Sequence, residues 1–205
     1  KYAAELYCDT LEALGFQVER NLAGIPTAFS GTYGNDGPVI GFLGEFDALP
    51  GLSQVEAALE KIPAQESAPG HGCGHNLLGV GSLAAVKQYL QDNHLPGTVV
   101  FFGCPAEEGG SGKGFMARSG VFQQVDIAFS WHPGEVNSVS TEGTMSNYQI
   151  CYHFRGVSAH AAMSPEQGRS ALDALELMNI GVQFLREHVP TDTRIHYAIT
   201  DTGGS

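Results

Sequence analysis

The 205-residue chain carries 22 acidic against 10 basic side chains, a formal net charge of −12, with 42% hydrophobic residues. That length builds one large domain or two small ones around a packed core, and the acidic balance, with no Lys/Arg stripe, excludes nucleic acid as a partner. No apolar run of roughly 18 residues or leader-like segment points to a membrane, while Cys8, Cys73, Cys104 and Cys151 match no disulfide framework or paired zinc module, which predicts reduced thiols and a cytoplasmic protein.

Residues 1–14 predict an amphipathic helix with Leu6, Leu11 and Leu14 on one side and Gly15 as its stop. "FQVER" (16–20) and "PTAFSGTY" (26–33) predict strands, "GNDG" (34–37) a turn, and "PVIGFLGEF" (38–46) a buried strand. Residues 76–95 predict a helix broken by Pro96-Gly97. "TVVFFG" (98–103) and "VDIAFSW" (125–131) are apolar strands, with a short helix at "GKGFMARSG" (112–120) between them. Strands apolar on both faces, alternating with helices, imply an α/β fold with a mostly parallel sheet between helical layers.

After about Gly143 the pattern changes. "NYQICYHFRG" (147–156) alternates like a strand with one open face. Ser164-Pro165-Glu166-Gln167 has the form of a helix start, and the helix would run to about His188. "RIHYAIT" (194–200) predicts a further strand. The reading is two domains, 1–143 and a smaller 144–205. The chain opens at Lys1 in mid-pattern and stops at "DTGGS", so a longer protein is expected.

Ligands of such sheets gather beyond the carboxyl ends of strands, and three polar clusters lie there: "GEFDALP", "CPAEEGG" and "HPG". A fourth, "HGCGHN" (71–76), opens a helix. Cys73 and His75 alternate in an extended loop, so a thiolate and an imidazole can reach one cation, while the glycines let the backbone bend around it. A tight turn is the bland alternative. Glu107 and Glu108 repel one another unless something cationic is near. One can then hold a metal while the other takes the proton of a water, although a solvated acidic loop would show the same pair. His132, structural when taken alone, completes a sulfur, nitrogen and oxygen donor set. Asp47 can orient His75 through the ring nitrogen not used for metal, or it can simply form a turn. Glu45 is a weaker candidate for the same surroundings. His160, on its own, is a loop histidine.

Taken together, "EFDALPG", "GHGCGHNLLG", "PAEEGGSGK", "WHPG" and "GVSAHAA" followed by "GRSALDA" resemble, in order and spacing, the M20 metallopeptidase family. The branch resembled is the amidohydrolase one, which includes aminobenzoyl-glutamate hydrolase subunits, β-alanyl dipeptidases and N-acyl-amino-acid hydrolases. The resemblance implies a zinc-exopeptidase-like three-layer catalytic domain, with part of a smaller α+β lid domain that forms a homodimer. It implies two divalent metal ions, zinc or manganese, held by Cys73, His75, Glu108 and His132. Glu107 falls on the general base, Asp47 on the aspartate beside the histidine ligand, and His160 on a lid histidine that helps stabilise the oxyanion. Asn76 stands where many amidohydrolase relatives have Asp, as in the aminobenzoyl-glutamate branch. The family's last histidine ligand would lie beyond residue 205. The expected reaction is hydrolysis of an amide bond in a small N-acyl-amino-acid or dipeptide-like substrate by a metal-activated water. The competing readings are a non-catalytic binding module with a structural metal, and a cysteine hydrolase using Cys73 and His75.

Overall fold

The computed structural model describes residues 1–92, 97–141 and 143–204. Helix α1 (Tyr2–Ala13) turns Ala4, Cys8 and Leu11 inward and ends where Gly15 takes a left-handed φ of 87°. Two short strands follow, β1 (Gln17–Arg20) and β2 (Phe29–Tyr33). Strand β3 (Val39–Glu45) leads into a long loop, then helix α2 (His75–Asp92) and strand β4 (Thr98–Cys104). The expected helix end near 95 and its breaker Pro96 lie outside the described residues. Two brief helices, α3 (Glu107–Gly110) and α4 (Gly112–Arg118), precede strand β5 (Ile127–Phe129).

The five strands form one sheet in the order β1-β2-β4-β3-β5. β3 runs parallel to both β4 and β5, whereas β1–β2 and β2–β4 are antiparallel. The sheet is therefore mixed, parallel at the centre and towards β5, where a mostly parallel one was expected. The reason is local: the link from β1 to β2 is too short for a crossover helix, so β2 must return antiparallel.

β4 is the spine, with all seven residues buried. Its alternate side chains feed two cores. Val99 and Phe101 pack with Cys8 and Leu11 of α1, Val86 of α2 and Phe29. Val100, Phe102 and Cys104 pack with Leu22, Ala28 and Met116 on the other face. Tyr7, Phe29, Phe46 and Phe101 form an aromatic cluster with ring centroids 5.7–6.2 Å apart. Each ring buried there contributes roughly 1.5–3 kcal/mol. α2 crosses β3 closely because Gly79 has no side chain: a Cβ there would lie 2.7 Å from the Glu45 carbonyl oxygen.

The chain divides into two compact units, Lys1–Val139 and Ser140–Ser205. In the second, a helix was expected to start at Ser164, but the structure puts only a 3₁₀ turn at Pro165–Gln167, and Ser164 makes no side-chain cap bond. Gly168 is extended, and helix α5 (Ala171–Leu185) starts after Ser170, whose hydroxyl accepts from the Asp173 N–H at 3.0 Å. Both serines satisfy the sequence pattern. The backbone bond decides between them. The strands expected at 147–156 and 194–200 do not form. Alternation sets which face a side chain prefers, but a strand exists only where a neighbouring segment pairs with it. Among the described residues of this unit the one pairing is an isolated bridge, Val157 with Arg169. No described helix is long and apolar enough to cross a membrane.

Candidate metal centre

The carboxyl ends of β3, β4 and β5 and the start of α2 bring their polar loops to one place. Two local devices do this. A bridge between Leu49 and Gly70, with both N–H···O distances at 2.9 Å, closes the loop after β3 and returns the chain to the site. Gly74 then adopts φ 81°, where a Cβ would lie 2.9 Å from Pro133 Cγ, so the backbone turns sharply between Cys73 and His75.

His75 is the centre of the arrangement and is wholly buried. Its Nδ1 lies 3.1 Å from Asp47 Oδ1. A carboxylate only accepts, so Nδ1 is the nitrogen that donates there, and in the neutral ring Nε2 is left with a lone pair. That lone pair faces Glu45 Oε2 at 3.1 Å, Glu107 Oε2 at 3.8 Å and Glu108 Oε1 at 3.9 Å. Asp47 reaches further: its Oδ2 accepts from the Glu108 backbone N–H at 3.0 Å. One carboxylate thus fixes an imidazole ring on α2 and the backbone that carries Glu108.

Beside this group, Cys73 Sγ and His132 Nε2 stand 3.3 Å apart. The His132 Nδ1 faces the Pro133 carbonyl at 2.9 Å, which leaves its Nε2 free to coordinate. The two histidine rings meet edge to face, with centroids 5.7 Å apart. Desolvation, then a hydrogen bond to Glu108 and the charges of Glu108, Glu107 and Glu45, push the Cys73 thiol above its ordinary range. Only a cation among these groups would favour the thiolate.

Glu107 and Glu108 begin α3, and a left-handed residue stands at each end of that turn: Ala106 at φ 57° and Ser111 at φ 52°. Such conformations cost of order 1 kcal/mol or more in non-glycine residues and collect at functional sites. The two glutamates are unequal. The Glu108 side chain is 21% exposed and Glu107 42%.

The donors fit a cation. Three buried polar atoms lack any hydrogen-bond partner among the described residues: Glu45 Oε2, His75 Nε2 and Glu108 Oε1. All three are electron-pair donors pointed at one another, an arrangement that needs a positive charge between them. Cys73, His75 and His132 form one group whose donor atoms all lie within 4.8 Å of each other, and Glu45, His75 and Glu107 form a second.

The structure therefore brings together Cys73, His75, Glu107, Glu108, His132 and Asp47. His160 belongs to the second unit, where its Nδ1 accepts from the Ala162 N–H at 3.2 Å. Sequence reasoning under-weighted Glu45, which is 7% exposed and touches His75. It missed Lys113, whose ammonium is paired with Glu45 Oε1. The spacing of Glu45 two residues before Asp47 on an extended backbone was the available signal. Lys113 in "GGSGK" offered none. Trp131 was also unremarked: its indole N–H reaches the Leu78 carbonyl at 3.2 Å and Ser82 Oγ at 3.1 Å, seating the end of β5 on α2.

Comparison with known proteins adds an independent line. The profile described as peptidase family M20/M25/M40 matches residues 41–199. One of the two p-aminobenzoyl-glutamate hydrolase subunits of Escherichia coli is 49% identical over 99% of this chain and 43% of its own length. A mouse Xaa-Arg dipeptidase is 31% identical over 88% of this chain and 40% of its own. This chain thus spans less than half the length of these curated relatives. Among solved structures, the aminobenzoyl-glutamate utilization protein of Klebsiella pneumoniae superposes with a TM-score of 0.56 at 22% identity, covering 92% of this chain and 52% of that one. The Bacillus subtilis YXEP protein, described as a dinuclear metal-binding peptidase of the M20 family, gives 0.55 at 24% identity, covering 65% and 37%. These two likenesses show a shared fold.

Proposed function

Since the chain belongs to peptidase family M20/M25/M40, we propose that the whole protein is a metal-dependent hydrolase of amide bonds in small N-acyl-amino-acid or dipeptide-like substrates. The observation that carries this is the inward-facing set of orphaned donors, Glu45 Oε2, His75 Nε2 and Glu108 Oε1, beside the Cys73–His132 pair. Cys73, His75, Glu108 and His132 would hold two divalent ions, zinc or manganese. When bound, these would supply Lewis acidity toward the scissile carbonyl and the attacking water.

This chain's own residues supply the rest. Asp47 holds the His75 ring in one tautomer and sets the position of Glu108. Glu107, the wetter of the paired glutamates, receives the proton of the attacking water and returns it to the leaving amine. His160, in the second unit, would steady the developing oxyanion. In this reading residues 144–205 belong to a lid domain that forms a homodimer. A protein of the cytoplasm accords with the four unbonded cysteines. The substrate is of the chemistry named in the relatives, an acyl-glutamate or a basic dipeptide.

The test is Glu107→Gln in the full-length protein, assayed on p-aminobenzoyl-glutamate and a panel of dipeptides. Hydrolysis should fall by about 10²–10⁴, with bound metal unchanged by elemental analysis. Near-normal turnover would remove Glu107 from its role. If chelation instead unfolds the protein and no panel member is cleaved, the site is a structural one.

A further inference from the structure

The donors of the centre are not of one kind. On one side stand a sulfur and an imidazole, Cys73 and His132, 3.3 Å apart. On the other stand two carboxylate oxygens, Glu45 Oε2 and Glu108 Oε1, both directed at His75 Nε2 and both without a hydrogen bond. Thiolate and imidazole suit borderline or soft cations. Carboxylate oxygens suit harder ones such as manganese. Building on the metal-centre reading, we propose that the two sides select different cations, and that Glu45 is the residue that makes the second side hard.

Glu45 is suited to this by burial and by its partner. It is 7% exposed, at the very end of β3. A buried carboxylate calls for a positively charged partner or for hydrogen-bond donors. Lys113 provides one, but at Oε1 alone. If the pair served only to tie α4 to β3, Oε2 would be expected to find a donor as well. Instead it lies 3.1 Å from an imidazole nitrogen whose own proton is on the far side of the ring. The two atoms are close enough that a single cation could be held by both. Lys113 thus restricts Glu45 to a single coordinating oxygen and cancels one of the negative charges there. Glu45, Glu107 and Glu108 against the one Lys113 ammonium leave that side anionic, enough to attract a dication while Asp47 serves His75 from behind.

The experiment uses the full-length protein, stripped of metal and given one equivalent of Co²⁺ and then one of Mn²⁺. Thiolate-to-cobalt charge-transfer absorption reports occupancy beside Cys73, and the Mn²⁺ electron paramagnetic resonance spectrum reports the carboxylate side. Both signals are expected together in the wild-type protein. Glu45→Gln, close to isosteric, should weaken Mn²⁺ binding by about tenfold or more and leave the cobalt–thiolate band intact. Cys73→Ser should abolish the band and leave Mn²⁺ affinity within about threefold. Far-ultraviolet circular dichroism of both variants confirms retention of fold, and the sequential loading of the wild-type protein needs no variant at all. The proposal is overturned, with the metal centre left standing, if Glu45→Gln binds Mn²⁺ within about twofold of wild type, or if it weakens both cations equally. Failure of the wild-type protein to bind either ion overturns the metal-centre reading itself.

Discussion

Asp47→Asn is the most informative single substitution, because one carboxylate holds two parts of the centre. Its Oδ1 lies 3.1 Å from His75 Nδ1 and its Oδ2 accepts from the Glu108 N–H at 3.0 Å. Asparagine has the same shape but a single oxygen. Whichever way the amide turns, its NH₂ faces a donor, either the imidazole N–H or the backbone N–H of Glu108. One partner is left unsatisfied in a largely buried place, a cost of about 1–3 kcal/mol. If the ring or the Glu108 backbone rotates to escape, the donors lose their alignment. Loss of such an orienting group typically weakens metal binding by about 10–100-fold, in step with that energy. Chelator competition on the full-length protein, with Zn²⁺ and with Mn²⁺, measures the affinity directly. A dissociation constant within about twofold of wild type for both ions would refute the argument that Asp47 fixes His75 and Glu108.

Other consequences are equally open to measurement. Gly79→Ala places a Cβ 2.3 Å from Tyr7 Oη and 2.7 Å from the Glu45 carbonyl oxygen. The hydroxyl can swing away but the backbone cannot, so urea unfolding should show a loss of about 1–3 kcal/mol; an unchanged midpoint would contradict the close seating of α2 on β3. Cys8 and Cys104, 2% and 0% exposed, should resist a water-soluble thiol reagent in the native state while the exposed Cys151 reacts. Burial pushes the Cys104 thiol from its ordinary 9.0 up to about 12. A raised folded-state value stabilises the fold fully below pH 9, and that contribution is lost as pH rises from 9 toward 12. The denaturation midpoint should therefore fall steadily above pH 9, and a flat profile to pH 11 would show that Cys104 is not so enclosed.

Much of the first unit was legible because its signals are local. The apolar runs at 38–46 and 98–103 read as strands, and both form: β4 is buried along its whole length and β3 is partly covered on both faces. The loops that carry Asp47, Glu107, Glu108 and His132 were placed by a rule about strand ends that holds without knowing side-chain contacts, and the Cys73 loop by its position at the opening of a helix. The antiparallel half was not legible, because apolar pattern does not state direction. Glu45 was under-weighted because a glutamate at the end of a strand looks the same whether it meets water or, as here, an imidazole at the start of a helix. Lys113, 68 residues from its partner, had no local signature. In the second unit the pattern described preferences without partners: Ser164 and Ser170 compete as caps, and the alternation at 147–156 has no ladder to join.

The mixed sheet carries a consequence for how such a molecule can change over time. The side chains gathered around His75 come from the last residue of β3, from the segments that follow β3, β4 and β5 and from the loop that opens α2. The hairpin of β1 and β2, with α1 behind it, gives no donor and only braces β4 from the side. Drift in that flank is filtered by stability alone, whereas drift at the opposite edge is filtered by chemistry. Divergence among relatives should therefore run faster across residues 1–33 than at the strand tips, and a graft or fluorescent label attached to the outer hairpin should leave the reactive end undisturbed.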